Sequence, residues 1–296
     1  TVISGGRPIE VTTYRTDGEY ADHRRPQSVR FVSTLREDLS RRGFTVNALC
    51  FDRQGGVIDM FGGINDLDAG IIRCVGDPYK RFEEDALRGM RALRFSCVLG
   101  FEIEEKTAQA IHDKAPLLRF VSQERIFSEL KKLLTGVKAG DILIGYRDVF
   151  ALIIPELSEC FDVAQHNPHH MYDVYTHICR SVDNIKADET LRLTMLFHDI
   201  GKPRCKTTDE GGTDHFKMHP LVGADMAETI LSRLKADNVT KELVCEYIKE
   251  HDDRLAENER SVGRFISKHS FDFFDNYLLI RRADTLAQSM YYRDEK

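Results

Sequence analysis

The sequence has no apolar run near the roughly 20 residues that a membrane-spanning helix needs. It also lacks an opening signal peptide, internal repeats and low-complexity runs, so no membrane partner is expected. Its seven cysteines (50, 74, 97, 160, 179, 205 and 245) are odd in number, scattered and without a CxxC pair. That pattern argues against a disulfide framework and a cysteine zinc site, and makes a reducing cytoplasm the expected setting. Overall basic charge is missing too: a net charge of −6 argues against indiscriminate polyanion binding. What remains is a globular composition, 42% hydrophobic and 30% charged, over 296 residues, with room for two or three domains.

The basic residues are unevenly placed. From His23 to Asn47 there are six arginines against two acids, Glu37 and Asp38. Such a stretch reads either as a local phosphate-holding patch or as a solvated face. The opening alternates like two short strands around the Ser4-Gly5-Gly6-Arg7-Pro8 turn, the second strand running Ile9 to Arg15. Tyr20 to Pro26 reads as a loop.

Arg81 to Phe95 reads as one amphipathic helix. At 100° per residue Phe82, Ala86, Leu87, Met90 and Leu93 share one sector, and Arg81, Glu84, Asp85, Arg88 and Arg91 share the other. Asp85 and Arg88 are neighbours at i,i+3. A carboxylate accepts from an exocyclic amino group and a guanidinium donates to ring nitrogens and carbonyls, so the pair suits cytosine and adenine. Uracil and guanine put a carbonyl where the amino group should be, and a good bidentate contact discriminates by about 1 to 3 kcal/mol. The plain alternative is a surface ion pair of little energetic value.

Three segments occur in a telling order: Asp38-Leu39-Ser40-Arg41-Arg42-Gly43-Phe44-Thr45-Val46-Asn47-Ala48, Glu84-Asp85-Ala86-Leu87-Arg88, and Ser122-Gln123-Glu124-Arg125-Ile126. They resemble the RRDFTxNA, EDxxR and ERI motifs of class II tRNA nucleotidyltransferases, the CCA-adding enzymes, and of bacterial poly(A) polymerases. The resemblance, which covers about residues 1–135, implies in an α+β chain the N-terminal part of a nucleotidyltransferase β-sheet head (1–76) and a helical neck that selects the nucleotide (77–135). Beyond it, Thr135 to Glu159, with Gly136 and Gly140 as breakers, reads as a linker into an all-α HD-type domain, the two together taking 136–296. The resemblance also implies that Arg42, Asn47, Asp85, Arg88, Arg91 and Arg94 bind nucleotide, and that Glu10, in a strand resembling the family's EVTTFR, is a catalytic carboxylate binding Mg2+. The family's GGxVRD loop and DxD pair are not found before that strand, and Asp66-Leu67-Asp68, in a turn after Gly62-Gly63, is a structural segment instead. Gly43 stands where the family has Asp. By the same resemblance Tyr20 to Pro26 would be a flexible catalytic loop. The implied substrates are CTP, ATP and the tRNA 3′ end. The EDxxR segment serves adenine alone equally well, so poly(A) polymerase activity stays open. The sequence leaves the oligomeric state unspecified.

Nine of the eleven histidines follow residue 165, and His177, His198, Asp199, His219, His251 and Asp284 form an ordered series. Imidazoles with carboxylates suit a divalent transition metal or Mg2+. Leu191 to Phe197 is an apolar helix that ends in His198-Asp199-Ile200-Gly201-Lys202-Pro203. The set resembles the HD phosphohydrolase superfamily. That resemblance implies one metal on His177, His198, Asp199 and Asp284, a second completed by His219 and His251, and Lys202 on the substrate phosphate. A degenerate HD domain kept as a helical scaffold for RNA is the alternative. His166, His169 and His170 would face phosphate or cap the first helix of this domain. A metal-dependent phosphohydrolase with RNA-binding head and neck is the rival to the transferase, and an RNA-binding relic is a third reading.

Overall fold

The computed structural model describes residues 1–18, 28–166 and 171–288. The loop of Tyr20 to Pro26, with His169 and His170, lies outside the described residues. The chain forms two compact units, Thr1–Ala92 with Phe101–Val121, and Leu93–Gly100 with Ser122–Lys296. The helices of 77–135 are thus shared between them.

The first unit is built from small paired strands and short helices. Antiparallel pairs join β1 (Val2–Ser4) to β2 (Arg7–Ile9), β3 (Arg15–Asp17) to β4 (Val29–Phe31), and β5 (Leu49–Asp52) to β6 (Gly56–Asp59). The strand expected over Ile9–Arg15 is therefore interrupted, and Glu10 lies exposed between β2 and β3. Helix α1 (Leu35–Ser40) opens on Thr34, an N-cap whose hydroxyl accepts from Glu37 N and donates to the Glu37 carboxylate. Helix α2 (Gly63–Ala69) contains Asp66-Leu67-Asp68, which is helical and not the expected turn. Asp66 is buried there, accepting from Thr45 Oγ1 at 2.6 Å and from Arg73 Nε at 3.1 Å, so its role is structural. A parallel pair, β7 (Ile71–Ile72) with β8 (Glu102–Ile103), flanks α3 (Pro78–Glu84) and α4 (Leu87–Leu99), and α5 (Glu105–Lys114) follows. Leu39, Phe44, Ile72, Phe82, Leu87, Met90 and Ile111 are buried in this unit.

The single helix expected over Arg81–Phe95 is two helices. Asp85 is extended (φ −138°, ψ 101°) and ends α3, its N–H still bonded to Arg81 O. Its Oδ1 then accepts from Leu87 N at 3.3 Å, so the same residue starts α4. Asp competes for backbone N–H groups in this way, which makes it a better cap than a helix-interior residue.

The second unit is helical: α6 (Gln123–Leu134), α7 (Ala139–Gly145), α8 (Arg147–Ile153), α9 (Val174–Asp183), α10 (Glu189–Phe197), α11 (Lys202–Cys205), α12 (His219–Arg233), α13 (Asn238–Glu250), α14 (Glu259–Lys268) and α15 (Phe271–Gln288). The hairpin β9 (Thr207–Thr208) and β10 (Asp214–His215) joins α11 to α12. Asp173, Asp188, Asp237 and Asn258 cap α9, α10, α13 and α14 through side-chain oxygens. Helix α10 is apolar all round from Leu191 to Phe197 apart from Arg192 and Thr194, and it is buried among α6, α9, α12, α13 and α15. The stretch expected as a linker, Thr135 to Glu159, is instead packed structure. Gly140 lies against the backbone of α9 with no room for a Cβ, and its N–H bonds Asp183 Oδ1 at 2.8 Å. Among the described residues no helix is long and apolar enough to cross a membrane.

Candidate nucleotide pocket and candidate metal centre

A cavity of about 560 Å³ in the first unit is lined by Arg15, Asp17, Arg41, Arg42, Gly43, Phe44, Asn47, Asp85, Arg88 and Arg91. It gathers five of the six residues expected to hold nucleotide. Arg94 falls in the second unit, where its Nε donates to Glu129 Oε2 at 2.5 Å and its guanidinium lies 4.1 Å from the Phe95 ring.

Arg88 is held by three residues. Arg88 Nη1 donates to Glu84 Oε2 at 2.6 Å and to Arg81 O at 3.0 Å, and Nη2 donates to Arg41 O at 3.2 Å. Glu84 Oε2 also accepts from Arg81 Nη1 at 2.7 Å. A guanidinium with its fork fixed in advance loses less entropy when a ligand arrives. Asp38, which opens the segment resembling RRDFTxNA, is 3% exposed and holds other residues in place. Its Oδ1 accepts from Arg15 N and from Arg41, and its Oδ2 lies 3.5 Å from Arg42 Nη2. Burial opposes its charge, but the hydrogen bonds from Arg41 and Arg15 N outweigh that and hold the carboxyl below its ordinary range. At Gly43 a Cβ would meet only Arg88 Cδ, at 3.9 Å. A side chain could therefore start at position 43 in ordinary contact with Arg88, whose carboxylate partner is Glu84.

In the second unit the expected ligands converge from separate helices: His177 on α9, His198 and Asp199 at the end of α10, His219 at the start of α12, His251 just after α13, and Asp284 on α15. All but Asp284 are at most 6% exposed. Asp199 divides them. Its Oδ2 is 3.1 Å from His177 Nε2 and 3.3 Å from His198 Nε2, with Asp284 Oδ1 2.9 Å from His177. Its Oδ1 is 3.3 Å from His219 Nε2 and 3.7 Å from His251 Nε2. Two groups of potential metal ligands therefore share one carboxylate. Glu10 belongs to neither group and lies exposed between β2 and β3.

The imidazoles are oriented by their own backbone. Nδ1 of His198, His219 and His251 meets the carbonyl three residues earlier, Met195, Phe216 and Ile248, at 2.7–2.8 Å. That contact puts the proton on Nδ1 and leaves Nε2 as the coordinating atom. Nε2 atoms then face each other, His177 to His198 at 3.2 Å and His219 to His251 at 3.3 Å. Two nitrogens at that distance need a proton or a metal ion beside them to offset the repulsion of their lone pairs, and with the carboxylates the donor set fits a pair of divalent metal ions. Full burial opposes charge on His198, yet Asp199 and Asp284 outweigh it and raise its pKa to about 10. Burial and neighbouring His198 lower that of His251 against the pull of Asp199. Both carboxyls lie well below the ordinary range, the cationic partners outweighing burial. Lys202, 6% exposed, sits 2.7 Å from Asp199 Oδ2 and 2.9 Å from Gln165 Oε1. Gln165 was not among the expected site residues, and only its closeness in sequence to His166 pointed toward it.

Residues 1–73 match the Poly A polymerase head domain, 100–160 the Probable RNA and SrmB-binding site of polymerase A, and 169–289 the HD domain. The CCA-adding enzyme of Lactobacillus helveticus is 54% identical over 136 residues, 46% of this chain and 34% of that protein. That of Geobacillus stearothermophilus is 53% identical over 142 residues, 48% of this chain and 35% of that protein. The chain thus spans about a third of the length of these curated relatives. The crystal structure of the Bacillus stearothermophilus CCA-adding enzyme in complex with CTP superposes with a TM-score of 0.65 at 28% identity, covering 97% of this chain and 61% of that one. The chain therefore carries, in order, a poly A polymerase head-domain sequence, a polymerase A RNA-binding sequence and an HD domain, and over nearly half its length it shares about half its residues with CCA-adding enzymes.

Proposed function

We propose that this chain belongs to a template-independent nucleotidyltransferase that adds C and A to the 3′ end of tRNA in the cytoplasm. The observation that carries the reading is the first unit's cavity, which Asp85 and the pre-oriented Arg88 line together with Arg41, Arg42 and Arg91. In this reading Asp85 accepts from the N4 or N6 amino group, and Arg88 donates to N3 and O2 of cytosine or N1 of adenine. Arg41, Arg42, Arg91 and Asn47 hold ribose and phosphates. The similarity to proteins named CCA-adding enzymes favours C and A addition over A alone.

The test is equilibrium binding of the four nucleoside triphosphates. CTP and ATP should bind about tenfold or more tighter than UTP and GTP, as one lost bidentate contact implies, and Asp85→Ala should level the four. Equal binding of all four by the unaltered protein would refute the selection reading. With Mg2+ and tRNAs ending before C, after one C and after two, ordered C, C and A addition separates this activity from poly(A) synthesis.

A second reading applies to the HD unit: a dinuclear metal-dependent phosphohydrolase. Its support is Asp199, whose two oxygens each face a histidine pair. An imidazole-rich set favours a first-row transition metal such as Mn2+ over Mg2+. Bound there, the metals would supply Lewis acidity to a phosphoester. The protein's own part is to hold imidazole tautomers through backbone carbonyls and to place the Lys202 ammonium at a phosphoryl oxygen. Loss of phosphoesterase activity in Asp199→Ala, with nucleotide binding unchanged, is the expected result.

A further inference from the structure

Gln165 has a fixed place beside the candidate metal centre. The amide is 5% exposed, and the chain on either side of it is pinned. Lys206 Nζ donates to Ala164 O at 2.7 Å, and His166 exchanges two bonds with Asp214, N to Oδ2 at 2.9 Å and O from N at 3.1 Å. Asp214, 2% exposed, is held in turn by Thr208 Oγ1 at 2.7 Å. The side chain has one orientation that satisfies it. Nε2 donates to Tyr172 O at 3.2 Å, which commits Oε1 to the Lys202 ammonium at 2.9 Å.

That ammonium also lies 2.7 Å from Asp199 Oδ2, the oxygen facing His177 and His198. A metal on those histidines needs the same oxygen, and a cation fully paired with it would oppose the metal by like charge. We propose that Gln165 is a positioning residue for this centre. Its amide oxygen shares the Lys202 ammonium, so Asp199 Oδ2 stays open to a metal and the ammonium stays in reach of a phosphoryl group. Because Gln165 is neutral, it does this without adding a charge that would itself bind or repel the ions. The proposal rests on the metal-centre reading of the HD unit.

The test is Mn2+ titration by calorimetry of the whole protein in four forms: unaltered, Gln165→Met, Lys202→Met and the double variant. A lost hydrogen bond to a charged group should weaken Mn2+ binding roughly tenfold in Gln165→Met. In the Lys202→Met background Gln165→Met should change nothing, because the ammonium that the amide shares is gone. Melting temperatures of the same proteins show that each is folded. If Gln165→Met binds like the unaltered protein, or loses the same factor without Lys202, the proposal is wrong and the metal centre stands. If the unaltered protein takes up no Mn2+, the metal-centre reading falls and this proposal falls with it.

Discussion

Gly201→Ala is the substitution that should divide the metal centre. Gly201 follows His198-Asp199-Ile200, and a Cβ there would lie 2.6 Å from Gly223 N and 2.6 Å from His219 O, both backbone atoms of α12. Ordinary contact begins near 3.4 Å, so the start of α12 has to move away by about 0.8 Å in a densely packed unit. His219 is the first residue of α12 and moves with it. Metal–ligand distances tolerate only about 0.2 Å. The ion facing Asp199 Oδ1, His219 and His251 should therefore bind about 10 to 100 times more weakly. His177, His198, Asp199 and Asp284 lie outside α12, so the other ion should be retained. The overpacking itself should cost about 1–3 kcal/mol, a fall in Tm of roughly 2–4 °C per kcal/mol. Gly223→Ala is the matched control. Its Cβ would sit 3.5 Å from Gly201 N, His198 O and Ile248 Cγ2, in ordinary contact, and both ions should bind as before. Calorimetry and Mn2+ electron paramagnetic resonance count the two classes of site. Two undiminished sites in Gly201→Ala would show that α12 can shift without carrying His219, and the reasoning would fail.

Two further outcomes are expected. Glu84→Gln leaves Arg88 without its carboxylate partner at 2.6 Å and should weaken CTP and ATP binding by about 1–2 kcal/mol, read by equilibrium dialysis; unchanged affinity would mean that Arg41 O and Arg81 O suffice to hold the guanidinium. The HD unit should also lose stability with rising pH when metal is chelated: His198 is raised from 6.5 to about 10 in the folded state, so its contribution is complete below about pH 6.5 and is lost as pH climbs through about 10. A bound metal takes the place of that proton, so Tm from pH 7 to 10 should fall more steeply with chelator than with Mn2+, and parallel curves would count against a shared proton and metal position.

How much of this was legible depended on which physical signal carried it. The apolar run Leu191–Phe197 is hydrophobic on every face, and it is the buried central helix with His198 and Asp199 at its end. Ligand identity was legible because His and Asp are seldom gathered in number without cause. Their division into two groups is what the resemblance implied, whereas the facing of Asp199 Oδ2 to one group and Oδ1 to the other depends on four other helices converging, which no sequence pattern carries. Gln165 escaped notice for the same reason: a single amide carries no pattern, and its partner Lys202 is remote in sequence. The stretch 135–159 read as a linker because Gly136 and Gly140 look like breakers. At Gly140 the missing Cβ instead admits the backbone of α9. Arg94 has the right spacing along the helix for the nucleotide site, but spacing does not reveal Glu129.

The break at Asp85 matters most for the chemistry. In one continuous helix Asp85 and Arg88 would stand at i,i+3 and satisfy each other, a surface pair of the kind worth about 0–1 kcal/mol. A carboxylate and a guanidinium so paired would have to separate before meeting a base. The extended Asp85 changes the pairing. Arg88 turns to Glu84 and to the Arg41 and Arg81 carbonyls, and Asp85 spends an oxygen on Leu87 N while remaining on the cavity wall. The residues of the EDxxR segment thus have separate tasks: Glu84 holds the arginine, Asp85 ends one helix and begins the next, and Arg88 reaches the cavity with its fork already set. Periodicity alone brings an aspartate and an arginine to one helix face. The cap at Asp85 keeps them from cancelling there.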